Sequence, residues 1–159
     1  MKSEIIFRKE TGSRGRYGNV SGSYTTIGAF FDNPGEWPYQ VKLEFTKRDD
    51  DYRMVVTDTE LYKLSKNDYL TIKKAIENSK RELSSCQEHI RNETMDGSSE
   101  LFKFCADGFS KTIYGSSILS IGYYEADTRK PSDRTDNYTV YSIVSEIKKL
   151  LEAANIYVL

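Results

Sequence analysis

Histidine is almost absent from this chain of 159 residues; His89 is the only one. There are two cysteines, three prolines and one tryptophan, and no excess of either charge, the formal net charge being −1. Each scarcity removes a class of function. A single histidine leaves little material for imidazole catalysis or a histidine-rich metal site. Two cysteines, Cys86 and Cys105, are too few for a disulfide framework and form no C-x-x-C pair, so two buried, reduced thiols are expected. The absent basic excess argues against duplex nucleic acid as a partner, while leaving room for a local patch. The opening apolar stretch Ile5-Ile6-Phe7 is too short for an export signal, and no run approaches the roughly 20 residues of a membrane span. A cytoplasmic protein with no membrane partner is the expectation.

What the chain does have is aromatic side chains, with 12 Tyr and 7 Phe. Disordered chains are poor in such residues, so this one should fold, and its length suits a single domain spanning 1–159. Residues 1–58 read as strands. Tyr39, Val41, Leu43 and Phe45 alternate with polar neighbours, the period of a half-buried strand. Lys47 to Asp51 is too polar to bury and makes a turn, after which Tyr52, Met54 and Val56 return as the second strand of a hairpin. Tyr24 to Phe31 is another strand, stopped by Asn33-Pro34-Gly35, where Pro and Gly suit the two central positions of a type II turn.

From Ser65 onward the period changes. Ser65 can cap the amide of Asp68, and Leu64 with Tyr69 fits a hydrophobic staple. Tyr69, Ile72, Ile76, Ser79, Leu83, Cys86 and Ile90 recur at spacings of three and four, which predicts one long helix over about 65–90. Strands are expected at Leu101 to Ala106 and Phe109 to Tyr114, joined at Asp107-Gly108, and a third, central strand at Ile118 to Tyr124. Val140, Ile143, Val144, Ile147, Leu150 and Leu151 mark a C-terminal helix over about 138–154, capped by Asp136 or Asn137 and ended by Asn155 in a left-handed turn. Strand runs segregated from helices point to an α+β fold of antiparallel β-meanders packed by these two helices, with 1–90 and 100–159 as possible strand-then-helix halves. The seam of the long helix is weakened by Ser79 and Cys86, which favours packing on its own sheet and a monomer or small homo-oligomer.

Few residues are spaced for chemistry. Cys86, His89 and Cys105 lack the paired spacing of a zinc site and the turn of a nucleophile. Asp49-Asp50-Asp51 puts three carboxylates side by side, where cation loops alternate them, so a solvated turn is expected. Glu36, Glu44, Asp58, Glu60, Glu100 and Glu125 are scattered, and spacing alone identifies no acid pair. No catalytic residue, metal ligand or cofactor is assigned. Two segments stand out as binding candidates. Thr11 to Tyr24 carries glycines three and four apart between Arg14, Arg16, Tyr17 and Tyr24, either a phosphate-neutralising, base-stacking loop or a flexible connector. Phe30 to Tyr39 places Trp37 and Tyr39 on a proline-stiffened loop, either a protein-binding anchor or a lid on the core. The favoured function is therefore a non-enzymatic protein-binding module of inhibitor, immunity or adaptor type. A single-stranded nucleic-acid binder using the Gly/Arg/Tyr loop and a sheet face is the alternative. A small-ligand protein or enzyme with a carboxylate/Tyr site is the third.

Overall fold

The computed structural model describes residues 2–15, 18–93 and 98–159, with backbone alone at 14, 15, 18 and 19. Four strands come first: β1 (Glu4–Gly15), β2 (Gly18–Ala29), β3 (Tyr39–Arg48) and β4 (Met54–Lys63). Two helical segments follow, α1 (Lys66–Asn78) and α2 (Lys80–Ser85), then β5 (His89–Ile90), β6 (Ser98–Ala106) and β7 (Phe109–Gly115). The chain ends with α3 (Ile118–Thr128) and α4 (Asp136–Ala153), separated by a short 3-10 turn at Pro131–Asp133. The strands make one sheet in the order β4-β3-β2-β1-β6-β7-β5. All neighbours are antiparallel except β5, which runs parallel to β7. The fold is α+β, as the segregation of strands and helices implied.

Register decides which face is dry. Phe7 lies opposite Ile27 on β2 and Phe104 on β6; Ile27 faces Val41, and Phe102 faces Ile113. All six are fully buried, in one cluster with Tyr69 and Ile72 of α1 and Val140, Ile147 and Leu151 of α4. Burying such side chains supplies about 1.5–3 kcal/mol each, so the helices cover this face and leave the other open. The Phe7 and Phe104 rings meet 5.5 Å apart, and Tyr39 packs 5.0 Å from Tyr69.

Local signals start and stop several elements. The Ser65 hydroxyl accepts from the Asp68 amide at 3.0 Å, and Leu64 and Tyr69 are both buried beside it. At Asn33-Pro34-Gly35 the Glu36 amide donates to the Asn33 carbonyl at 3.1 Å, with Gly35 at φ 92°. Asp49 accepts the amides of Asp51 and Arg53, both at 2.9 Å, so the turn runs through Arg53 and Tyr52 sits in it at φ 60° instead of opening the strand. Thr135, one residue before the two expected caps, starts α4 by accepting from the Asn137 amide. Asn155 (φ 61°) ends it, with the Ile156 amide donating to the Leu151 carbonyl at 2.9 Å.

Three further expectations need correction. The single helix over 65–90 is two, and both are over by Ser85. Ser79 bonds its hydroxyl back to the Ala75 carbonyl at 3.0 Å, and its amide tightens onto Ile76, which breaks the first segment. Cys86 then turns extended, because the chain beyond it is claimed by β7: the Tyr114 amide donates to the Glu88 carbonyl at 2.8 Å. Ile90 is buried from a strand, so its helical spacing is a coincidence of register.

The strand expected at Ile118 to Tyr124 is α3. Its buried positions, Ile118, Gly122 and Glu125, have helical spacing hidden by a glycine and an acid. Gly122 lets α4 come close, since a side chain there would collide with the Asn137 carbonyl and the Tyr141 Cβ. Buried Glu125 accepts from the Thr135 amide and hydroxyl, which fixes the start of α4. Finally, the Thr11 to Tyr24 segment, as far as it is described, is not a loop. β1 runs to Gly15 and β2 resumes at Gly18, so most of it is paired strand.

Candidate functional site

β4 bonds to β3 alone and forms an edge of the sheet. Of its ten residues all but Tyr62 are exposed. The edge is bulged. Phe45 faces Asp58 and Thr46 faces Val56, leaving Thr57 as the extra residue. Asp58, Glu60 and Tyr62 therefore line the helix side of the edge, and Met54, Val56, Thr59 and Leu61 the open side. Val56 is 50% exposed and Leu61 59%, unusual for aliphatic strand residues. On the helix side the Tyr62 hydroxyl donates to Glu60 at 2.6 Å, and that bond raises the phenol's pKa.

Trp37 sits at the end of this edge. Its indole N–H donates to the carbonyl of Leu64, the residue after β4, at 2.6 Å, while 44% of the residue stays exposed. Tyr39 lies edge-on to it at 6.0 Å, held also by Phe31. Tyr39 is half-buried packing and Trp37 is the accessible member of the pair.

The open face is organised in rows across the strands. One row is cationic, with Lys42, Arg8 and Lys103 separated only by Thr26. The next runs Glu44, Tyr24, Glu10, Leu101, Tyr114 and His89. The third is small: Thr46, Gly22, Gly12 and Ser99. Arg8 ties the first two rows together. It pairs with Glu10 at 2.9 Å, bonds the Thr26 hydroxyl at 3.0 Å and lies 4.8 Å over the Tyr24 ring. His89 stacks on Tyr114 at 4.6 Å with the planes 13° apart. The second and third rows enclose a cleft of about 660 Å³.

The candidate residues therefore do not form one site. Trp37 and Tyr39 stand at the Ala29 end of β2, and Arg14 pairs with Asn19 at the other end, about 33 Å of strand away. Tyr24 lies between them in the open cleft. Arg16 and Tyr17 lie outside the described residues, as does the Arg14 side chain. Reading the sequence missed β4 as an edge and missed the His89–Tyr114 pair, because strand order and register carry no local signal. The strongest hint was Met54-Val55-Val56 and Leu61 lying in a segment otherwise rich in charge.

Other titratable groups are structural. Lys73 bridges Glu4 at 3.1 Å and Asp107 at 2.9 Å; burial works against its charge, but those two carboxylates raise its pKa overall. The Tyr69 hydroxyl donates to Glu4 at 2.7 Å, and burial together with that carboxylate pushes its pKa far up. Lys9, on the helix side, has its pKa lowered by burial and by Lys148, against the pull of Glu100. Burial pushes the Cys86 thiol up to about 11, and Cys105 is half-exposed, not buried as expected. Among the described residues no three His, Cys, Asp or Glu side chains converge as a metal site requires, and no helix is long and apolar enough to cross a membrane. No protein-family model matches this chain, and no curated protein is similar to it in sequence.

Proposed function

We propose that the protein is a non-enzymatic binding module that receives an extended segment of another protein along β4. The open edge itself is the observation that supports this: ten strand residues, nine of them exposed. Folded proteins usually blunt such an edge, and an incoming strand satisfies its backbone groups while alternate side chains set specificity. Asp58 and Glu60 on the helix side ask for lysine or arginine on that side of the incoming strand. Val56 and Leu61 on the open side ask for apolar side chains there. A second copy fits badly. Antiparallel self-pairing centred on Asp58, Thr59 or Glu60 sets these carboxylates against each other, and like charges directly opposite destabilise a sheet. Trp37, at the end of the strand, is the anchoring contact, with Tyr39 holding it from behind. Such a module works as a cytoplasmic monomer, as an inhibitor, immunity or adaptor protein would, and requires no cofactor.

A selection of random twelve-residue peptides against the immobilised protein tests this. Selected peptides should alternate apolar and basic residues and should slow amide exchange along β4. Leu61→Lys should abolish their binding. Trp37→Ala should weaken it about 30-fold, the loss of roughly 2 kcal/mol typical of a hot-spot residue. Peptides that bind the Leu61→Lys variant equally well, or that protect another surface, would refute strand addition.

A further inference from the structure

The small-residue row of the open face has a feature that strand packing does not account for. Thr46 is only 5% exposed, and among the described residues its hydroxyl is the one buried side-chain polar atom without a partner. Buried hydroxyls nearly always find a bond, and leaving one unmade costs about 1–3 kcal/mol. Thr46 lies opposite Gly22 and lines the cleft. A Cβ at Gly22 would sit 3.0 Å from the Thr46 Oγ1 and 2.6 Å from the Thr11 carbonyl oxygen, so glycine alone leaves that floor clear.

We infer that this cleft binds a neutral, polyhydroxylated ring ligand, a saccharide, lying across β3, β2, β1 and β6. The wall is aromatic, formed by Tyr24 and by Tyr114 backed by His89. Aromatic faces accept the C–H faces of a sugar ring. The floor offers hydroxyls at Thr46 and Ser99. Glu10 turns one oxygen to Arg8 and keeps the other to accept from neighbouring ligand hydroxyls. The charge of the described lining favours a neutral occupant over a phosphodiester. Among the described residues no lysine or arginine lines the cleft, the Glu10 carboxylate does, and Arg8 is committed one row back to Glu10 and Thr26. A volume of about 660 Å³ falls within the usual range of small-ligand sites, about 300–1,000 Å³.

The test is a titration of ¹⁵N-labelled protein with maltohexaose, cellohexaose and chitohexaose, with a twelve-residue oligothymidylate as the charged comparator. At least one sugar should shift the Gly12 and Gly22 amides, and the oligothymidylate should not. Tyr114→Ala should weaken binding about tenfold through the lost ring contact. Thr46→Val should weaken it about fivefold, one neutral hydrogen bond, while raising the melting temperature because the orphaned hydroxyl is gone. Leu61→Lys should leave sugar binding unchanged, which separates this site from the β4 edge. Silence with all three sugars, shifts that spare both glycines, full affinity in Thr46→Val, or oligothymidylate binding that weakens with salt would each overturn the inference.

Discussion

At one edge of the sheet β4 runs ten residues with nine side chains exposed; at the other β5 has two residues, and Ile90 is buried. The β5 edge is closed from several directions. The Gln87 amide donates to Asp136 of α4 at 3.0 Å, and Lys111 of β7 bonds the Cys86 carbonyl at 2.6 Å. Asn92, just past β5, bonds the Ser116 carbonyl at 2.9 Å and Asn137 at 2.8 Å. The chain thus seals an edge with side chains from β7, α4 and the loops beside them. β4 has none of this, only a bulge and two acids. An edge left open in a molecule that closes its other one is what strand addition needs.

The largest expected effect tests the seal. Gly115 of β7 lies against β5, and any side chain there would run into the Ile90 carbonyl. Gly115→Val should cost about 3 kcal/mol or more, the range of severe overpacking, read as a drop in denaturant midpoint. The matched pair Ile90→Ala and Leu61→Ala sharpens the contrast. The first should cost about 2–4 kcal/mol and the second less than about 1 kcal/mol in the same unfolding experiment. Equal costs would mean that the β4 edge is covered after all.

The smallest effect is chemical. At pH 8 Cys86, at the closed edge, should resist a thiol reagent, because burial holds its pKa near 11. A cysteine placed in β4 by Val56→Cys should react like a free thiol. The sign of the linkage follows. Since the folded pKa lies above the thiol's ordinary value of 9.0, the stability this thiol contributes is whole below pH 9 and falls between pH 9 and about 11. Replacing Cys86 with serine should remove that fall from a stability–pH profile.

Much of the fold was legible wherever a local rule was obeyed. Ser65 caps α1, Gly35 and Asn155 take the positive φ their turns need, and the alternation from Tyr39 to Phe45 lies in a strand. It was illegible where a partner distant in sequence overrode the pattern. Gly122 and Glu125 look wrong for a buried helix face until α4 and Thr135 lie against them. Ile90 keeps a helix's spacing while pairing with a strand. The two candidate surfaces were the least legible. Tyr24 and Trp37 could be picked out by residue type, but Thr46, Tyr114 and His89 matter only because four cross-strand registers align them.

The sequence by itself determined which segments were dry on one side, where several turns fall, and that an antiparallel α+β fold would result. These follow from side-chain period and backbone preference, which act within a few residues. The tertiary structure decided that β1 joins β6 to make one sheet, which edge stays open, and which polar groups share a face. Those depend on pairing between strands far apart in the chain, where the free energy of a register is set by all its neighbours at once.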